Sequence, residues 1–486
     1  MKPQEWKWRY AILFCDCIVV FGVYYFIDLP SSLQVDFVSG YEMHCQVNES
    51  IISAACCETC LGLGSSRYNL LFTFLFWTSS IASPLSGYVI DRLGNRVSAV
   101  SIMFLTSLGA NLFAIAGSSL LRHTSAMFPV MVIGRMLLGF GNGPMRIVQD
   151  RVIAHWFAGD SFLAVSLITS TRRGGTLLNF ITTANLAAKF GFTWSVWFGT
   201  IMCSFGILIA FVMAFLDFYG TKKLDVLSQN RMASKPFKLA DVTNIPKTFW
   251  IHVSMISLNA CSFGSFVANG SHYLQLRHGY TKAIASYVTG TSYAVPVFLA
   301  PFIALLLKRI ECNGLVATFV TVFSVPIYLL LSYCPSIPPV ILTVAIGIVY
   351  TFDVIIMWQV TIDMLPPAVF GTGAGIAVFM ARFFLGLMYL SVGAIVEDVR
   401  NHRSHQEQIC AYQNALLLMA AVTFMSVSCG VLLNILDIRN GDGVNKRFMK
   451  NKPFEISDST QLVSDDKVRE RYKSNDTGEG THVEPE

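Results

Sequence analysis

Apolar residues run along this chain in blocks of about helix length, separated by short polar or charged breaks. Runs beyond about 18 apolar residues are long enough to cross a bilayer as helices. Twelve spans are predicted, at roughly 9–27, 68–90, 97–119, 127–150, 161–186, 192–216, 247–269, 283–307, 314–334, 338–362, 369–395 and 411–436. An even number places both termini on one side. A polar stretch over 217–246 divides the first six spans from the last six. The pattern predicts an all-α membrane protein of two six-helix bundles, 1–216 and 247–436, joined by a linker over 217–246. The tail over 437–486 is polar and charged, the composition of a disordered segment. Within it, Asp458-Ser459-Thr460-Gln461-Leu462-Val463 approximates an acidic, leucine-based sorting signal.

Composition turns a length that would otherwise suggest several soluble domains into a membrane reading. Hydrophobic residues make up 53% of the chain and charged ones 13%, with a mean hydropathy of +0.54. The net charge of +5 needs no nucleic acid, because basic flanks on one side of a membrane account for it. The first apolar run is long and is followed by no small-residue cleavage site, so no cleavable signal peptide is expected.

Lys and Arg set the orientation. Lys2, Lys7, Arg9, Arg92, Arg96, Arg151, Lys222, Lys223, Arg231, Lys235, Lys238, Lys308 and Arg309 share one side. The loops of the other side carry Arg67, Arg122, Lys189, Arg277, Lys282, Arg400 and Arg403. The first side, with both termini and the linker, is expected in the cytosol. The long opposite loop, 28–67, contains Cys45, Cys56, Cys57 and Cys60 and the sequon Asn48-Glu49-Ser50. It reads as a disulfide-bonded, glycosylated cap, with zinc or redox chemistry at Cys57-x-x-Cys60 the weaker alternative. A second sequon at Asn269 falls close to a span. Lysosomal and plasma membranes both fit such a loop.

Two kinds of charged feature carry candidate function. The first is the turn Asp91-Arg92-Leu93-Gly94-Asn95-Arg96 between spans two and three. Gly87 before it lets a neighbouring helix approach, and Gly94 permits a tight turn. The second is ionisable residues inside spans, which are costly in lipid and face protein or a wet cavity. These are Asp16, Arg135, Arg146, Arg172, Arg173, Asp353 and Arg382. The excess of arginine suits a cavity that receives a carboxylate or another anion. Arg172 and Arg173 point about 100° apart on a helix and are unlikely to share a role. Arg135 divides evenly between a structural and a functional reading. Tyr24, Tyr25, Tyr293, Tyr350 and Trp358 could line the cavity, pack, or anchor at the interface. Trp358 reads equally as a gate.

The spacing G-x-x-x-D-R-x-G-x-R over Gly87–Arg96 resembles the signature loop of the major facilitator superfamily. Arg135 followed by Gly139, Gly141 and Gly143 resembles its second signature. Asp150 and Arg151 end that span beside the Asp91–Arg96 turn, and charge pairing there is expected to bias the inward–outward balance. Within the superfamily the chain is similar to the lysosomal dipeptide transporter branch. That similarity rests on Tyr24, Asp28-x-Pro30-x-x-Leu33-Gln34, Asp91-Arg92, Gly134-Arg135, Gly139-x-Gly141 and Gln149. It continues through Trp156-Phe157, Arg173-x-Gly175, Asn179, Lys238-Leu239-Ala240-Asp241-Val242, Trp358, Gly371-Thr372 and Gly375.

The resemblance implies facilitated export of dipeptides from the lysosome without a coupling ion or cofactor. It also implies a heavily glycosylated single-pass partner. Arg173 matches the family's arginine for the substrate carboxylate. The family's acid for the amino group falls at Gly143, and Arg146, Asp353 and Arg382 replace uncharged residues. Either Asp353 or Asp16 supplies the acid from another helix, or the substrate is an anion lacking an amine. The long cysteine-bearing loop is a further departure and could replace the partner.

The leading expectation is therefore a carrier of small organic solutes working by alternating access. Its site would draw on Arg173, Asp353, Arg382, Tyr24, Asn179, Trp358, Arg146 and Asp16. Gly87, Asp91, Arg92, Gly94, Arg96, Arg135 and Asp150 would shift the conformation. Uniport is favoured, with proton coupling left open. A non-transporting receptor on the same scaffold is the alternative. No G-x-S-x-G, H-E-x-x-H, phosphate loop or paired carboxylate on a soluble domain argues for an enzyme.

Overall fold

The computed structural model describes residues 6–40, 60–157, 161–223, 247–310, 312–364, 370–397, 405–440 and 444–445. The first half contains α1 (Arg9–Val19), α2 (Phe21–Ile27), α3 (Leu29–Ser32), α4 (Gln34–Val38), α5 (Gly64–Gly117), α6 (Met127–Trp156), α7 (Ser161–Phe190) and α8 (Phe192–Lys223). The second half contains α9 (Lys247–His278), α10 (Lys282–Ile310), α11 (Asn313–Tyr333), α12 (Pro339–Met364), α13 (Phe370–Glu397) and α14 (His405–Asn440). Helices α8 and α14 run a few residues past the expected boundaries at 216 and 436. Cys45, Asn48, Cys56 and Cys57 lie outside the described residues, as does most of the tail.

Nine helical stretches among the described residues are long and apolar enough to cross a membrane, among them Arg9–Ile27, Arg92–Gly117 and Phe192–Lys222. The expected spans 68–90, 127–150 and 161–186 fall short of that measure, yet each forms a helix of full length. Their glycines, hydroxyl residues and arginines lower the apolar average because these helices face other protein. Lipid-facing positions stay apolar: Phe205, Leu208, Phe211 and Phe215 are exposed on α8.

Two expected boundaries move. The turn between spans two and three shrinks to Gly94, whose φ of 78° interrupts an otherwise continuous α5. A side chain at that dihedral would be strained, so glycine makes the turn possible. The loop expected from 28 instead continues as α3 and α4, with Leu29–Leu33 buried. Pro30 sits in the first turn of α3, where its missing N–H breaks no helical bond.

The halves meet along a seam near the end of the molecule where residues 39–63 connect α4 to α5. Tyr68 Oη donates to Ala268 O at 2.6 Å, and Asn269 Nδ2 donates to Asn69 Oδ1 at 3.0 Å. Thr73 Oγ1 donates to Gly386 O at 3.1 Å, Trp77 Nε1 to Phe383 O at 3.1 Å, and Ser80 Oγ to Phe379 O at 2.9 Å. Across α7 and α10, Ser286 Oγ donates to Phe180 O at 2.7 Å. Glycines allow this closeness: a Cβ on Gly386 would lie 2.3 Å from Trp77 Nε1. Lys282 Nζ pairs with Asp36 Oδ1 at 2.6 Å, and Ser66 N donates to Glu397 Oε2 at 3.0 Å. Asn269 is buried in this seam, so its sequon offers no accessible acceptor for a glycan. Cys60 is disulfide-bonded, with its partner outside the described residues.

At the opposite end, where α1 begins and α8 finishes, Arg96 Nε pairs with Asp217 Oδ2 at 2.5 Å. Trp156 Nε1 donates to Asp217 Oδ1 at 2.9 Å, and Trp6 packs on Trp156 with ring centroids 5.0 Å apart. All of these residues belong to the first half.

Candidate functional site

The site grows from the break between α2 and α3. A helix interrupted inside a membrane leaves carbonyls that lipid cannot satisfy. Two side chains from neighbouring helices take them. Arg135, fully buried on α6, donates Nη1 to Ile27 O at 2.9 Å. Asn179 on α7 donates Nδ2 to Asp28 O at 2.9 Å and to Ser32 Oγ at 3.1 Å. Thr183 Oγ1 donates to Asn179 Oδ1 at 2.6 Å, which fixes the amide's orientation. The Arg135 guanidinium otherwise lies over three phenylalanine rings, 4.6 Å from Phe113, 5.4 Å from Phe72 and 5.8 Å from Phe26. Arg135 and Asn179 therefore hold the first half's broken helix in shape.

Asp28 stands at the break. Its Oδ2 accepts from Thr176 Oγ1 at 2.9 Å, and its charge interacts with Arg173 and Arg135. Sequence reasoning placed Asp28 at the start of a loop and missed it as a site residue. The available signal was an acid two residues before proline, within reach of an apolar span. Discontinuous helices that expose such ends mark binding sites in many carriers.

One turn further along α7, Arg173 projects toward the second half. Its guanidinium lies 5.0 Å from the Tyr350 ring centroid, 5.3 Å from Tyr293 and 5.9 Å from Tyr24. Tyr24 belongs to α2, Tyr293 to α10 and Tyr350 to α12, so both halves contribute to the cage. Phe263 stacks on Tyr350 at 3.6 Å and steadies it. Among the described residues Arg173 makes no hydrogen bond to protein. Arg172 turns away as the helical offset requires and donates to Gln149 Oε1. Gln149 Nε2 in turn donates to Asp16 O at 2.6 Å.

Four guanidiniums converge electrostatically on the Tyr24 hydroxyl: Arg146 from α6, Arg172 and Arg173 from α7, and Arg382 from α13. Arg382 crosses the seam and donates Nη1 to Ser79 Oγ on α5. Arg146 pairs with Asp150 at 3.4 Å along its own helix.

The remaining sequence candidates fall elsewhere. Asp353 lies inside the second half, where Asn259 Nδ2 donates to Oδ2 and Thr321 Oγ1 donates to Oδ1 at 3.2 Å. Both oxygens are used by α9 and α11, an economical way to bury a carboxylate. Asp16 is wholly buried between α1, α6 and α7, apart from the Tyr cage, and both its carboxylate oxygens lack a hydrogen-bond partner among the described residues. In the turn, Arg96 finds Asp217, and Asp150 finds Arg146. Arg92 is exposed. The surroundings of Gly87 and the side chains of Asp91 and Trp358 are not described.

Gly143 has a geometric reason to lack a side chain. A Cβ there would sit 2.7 Å from Ser79 O and 2.7 Å from Ser83 Oγ. Helix α5 occupies the space that an acidic side chain on α6 would need.

Residues 8–389 match the Major Facilitator Superfamily. The chain is 20% identical over 455 residues to the "Lysosomal dipeptide transporter MFSD1" of Danio rerio, covering 91% of this chain and 90% of the relative. The Homo sapiens protein of the same name is 20% identical over 410 residues, 82% of each chain. The fold is similar to the crystal structure of the nucleoside transporter NupG, with a TM-score of 0.64 and 12% identity over 88% of this chain and 99% of that one. A bacterial homologue of the human lysosomal transporter Spinster, solved inward-facing and unoccupied, gives a TM-score of 0.60 at 12% identity, covering 93% of this chain and 100% of that one. With two bundles of helices, cross-seam contacts gathered at one end and a family match over most of its length, this multi-pass membrane protein is a transporter of the major facilitator superfamily.

Proposed function

We propose that the protein moves small organic carboxylates, of amino-acid or dipeptide size, across the lysosomal membrane by alternating access as a uniporter. The observation that carries this reading is Arg173, caged by three tyrosines from both halves and without a hydrogen bond to protein among the described residues. A guanidinium in that setting offers two parallel donors to a carboxylate, and the tyrosine hydroxyls can turn toward the remaining polar atoms. A solute there touches both halves, so its binding energy can act on their rocking. The names of the relatives supply the lysosome and the dipeptide.

With the termini in the cytosol, the seam of contacts between the halves faces the lumen. Asp353, held by Asn259 and Thr321, is poorly placed to cycle a proton, which supports uniport. The glycosylated single-pass partner belongs to the same proposal and rests on the family alone. A second reading, an organic anion without an amine, is favoured by the filled space at Gly143.

Purified full-length protein in proteoliposomes tests the proposal. Arg173→Ala should lower uptake of a responsive carboxylate by about 100-fold, the loss expected on removing one partner of a buried charge pair. Its elution and melting should match the wild type. Unchanged uptake by this variant would remove Arg173 from the site. Uptake that follows an imposed pH gradient would replace uniport with proton coupling.

A further inference from the structure

The space at Gly143 and the reach of Arg382 meet at one residue. Ser79 sets both its backbone oxygen and its hydroxyl against Gly143, and that hydroxyl accepts from the Arg382 guanidinium. The position that would carry an acid for an amine is thus filled by α5, and an arginine from the opposite half reaches the serine that fills it. Asp28 is already shared among Thr176, Arg135 and Arg173.

A neutral hydroxyl is a poor partner for a guanidinium away from water. A carboxylate forms a shorter, charge-assisted bond of roughly twice the strength. The Tyr24 ring lies 5.9 Å from the Arg173 guanidinium, and the charges of Arg146, Arg172 and Arg382 also act on its hydroxyl, so the surroundings of Tyr24 are basic. An ammonium group entering that space meets like charge. A second anionic group is favoured there.

Resting on the carboxylate reading above, we propose that the preferred solutes carry two acid groups, one held by Arg173 and the other by Arg382. Arg382 exchanges Ser79 for the solute, and the solute then bridges α7 of the first half to α13 of the second. The shared chemistry is a pair of carboxylates on a small flexible frame. A dicarboxylic acid and an acidic dipeptide both supply it.

Four probes, offered to the full-length protein in calorimetry and in proteoliposome uptake, test this: butyrate, glutarate, alanyl-alanine and alanyl-glutamate. Glutarate should bind about tenfold tighter than butyrate, or alanyl-glutamate about tenfold tighter than alanyl-alanine, and whichever pair separates identifies the source. Arg382→Gln should bring the diacid down toward its monoacid counterpart and so close the tenfold separation, while Arg382→Lys restores part of the preference. Arg173→Gln should weaken all four. The proposal is overturned if neither pair separates, or if Arg382→Gln weakens monoacid and diacid alike. Normal uptake by Arg173→Gln sinks the carboxylate reading itself, and binding of none of the four sinks both. Melting of each variant shows whether a loss is one of folding.

Discussion

Arg135 and Arg173 stand on neighbouring helices, the first buried and the second half-buried, each among three aromatic rings and each interacting with Asp28. Their surroundings differ in two respects. The rings around Arg135 are phenylalanines of the first half, and its Nη1 bonds a carbonyl left open by the break after Ile27. The rings around Arg173 are tyrosines drawn from both halves, and no described protein atom takes its N–H groups in a hydrogen bond. A buried guanidinium is expensive in a membrane in either case. The first half meets part of that cost with fixed structure, one carbonyl and three ring faces, while Nε and Nη2 find no hydrogen-bond acceptor among the described residues. The seam leaves it to be met by something that comes and goes. Only the second arrangement is sensitive to how the halves sit relative to each other.

The largest effect that could break this comparison is at Arg135. Arg135→Ala should destabilise the protein by about 3–5 kcal/mol, because it strands the Ile27 carbonyl and removes a counter-charge from Asp28. Loss of monodisperse elution, or a much lower melting temperature in detergent, is the expected observation. Arg173→Ala should melt near the wild type. If the two variants melt alike, the division between a structural and a solute-facing arginine is wrong.

Gly143 comes next in size. Gly143→Ala places a methyl group 2.7 Å from a backbone oxygen of α5, which cannot swing away as a side chain could. The helices must part, at a cost of about 1–3 kcal/mol. Gly143→Glu should be worse, and should not create a dipeptide site. A stable Gly143→Glu variant that gained a preference for amine-bearing solutes would show that α5 yields, and would return the acid to α6.

How much of this was legible in the chain depends on what each residue answers to. Apolar length is a local property, and the spans read from it overlie the helices from α1 to α14. The 100° offset between Arg172 and Arg173 is local too, and the structure separates them as that offset requires. Asp28 was missed because an apolar run that ends in Asp-Leu-Pro reads as a loop. Whether α3 and α4 continue depends on Asn179 and Arg135, more than a hundred positions away. A lone intramembrane acid such as Asp353 usually marks function, and the sequence carries no sign of what holds it. Its two donors, Asn259 and Thr321, lie on other helices and leave no trace near it in the sequence. The same holds for Gly143, whose identity is plain in the chain but whose reason is the backbone of α5.

The smallest effect concerns the seam that keeps the two environments distinct. Lys282 and Asp36 pair across it at 2.6 Å, with the lysine side chain 44% exposed and the aspartate 5%. Water screens the lysine, so the pair is worth about 1 kcal/mol or less. That is too little to unfold anything, yet it is enough to move a two-state balance roughly fivefold. The pair exists only when this end is closed, so Lys282→Gln should raise the fraction open at this end, and Lys282→Arg should not. Spin labels placed across the seam would report the shift as a longer distance component. Because Arg173 is caged by rings from both halves, the same variant should loosen solute binding in proportion, while the melting temperature set by Arg135 and its carbonyl stays put. A Lys282→Gln protein that opened no further, or one that opened and kept its full affinity, would mean that the tyrosine cage does not register the position of the halves.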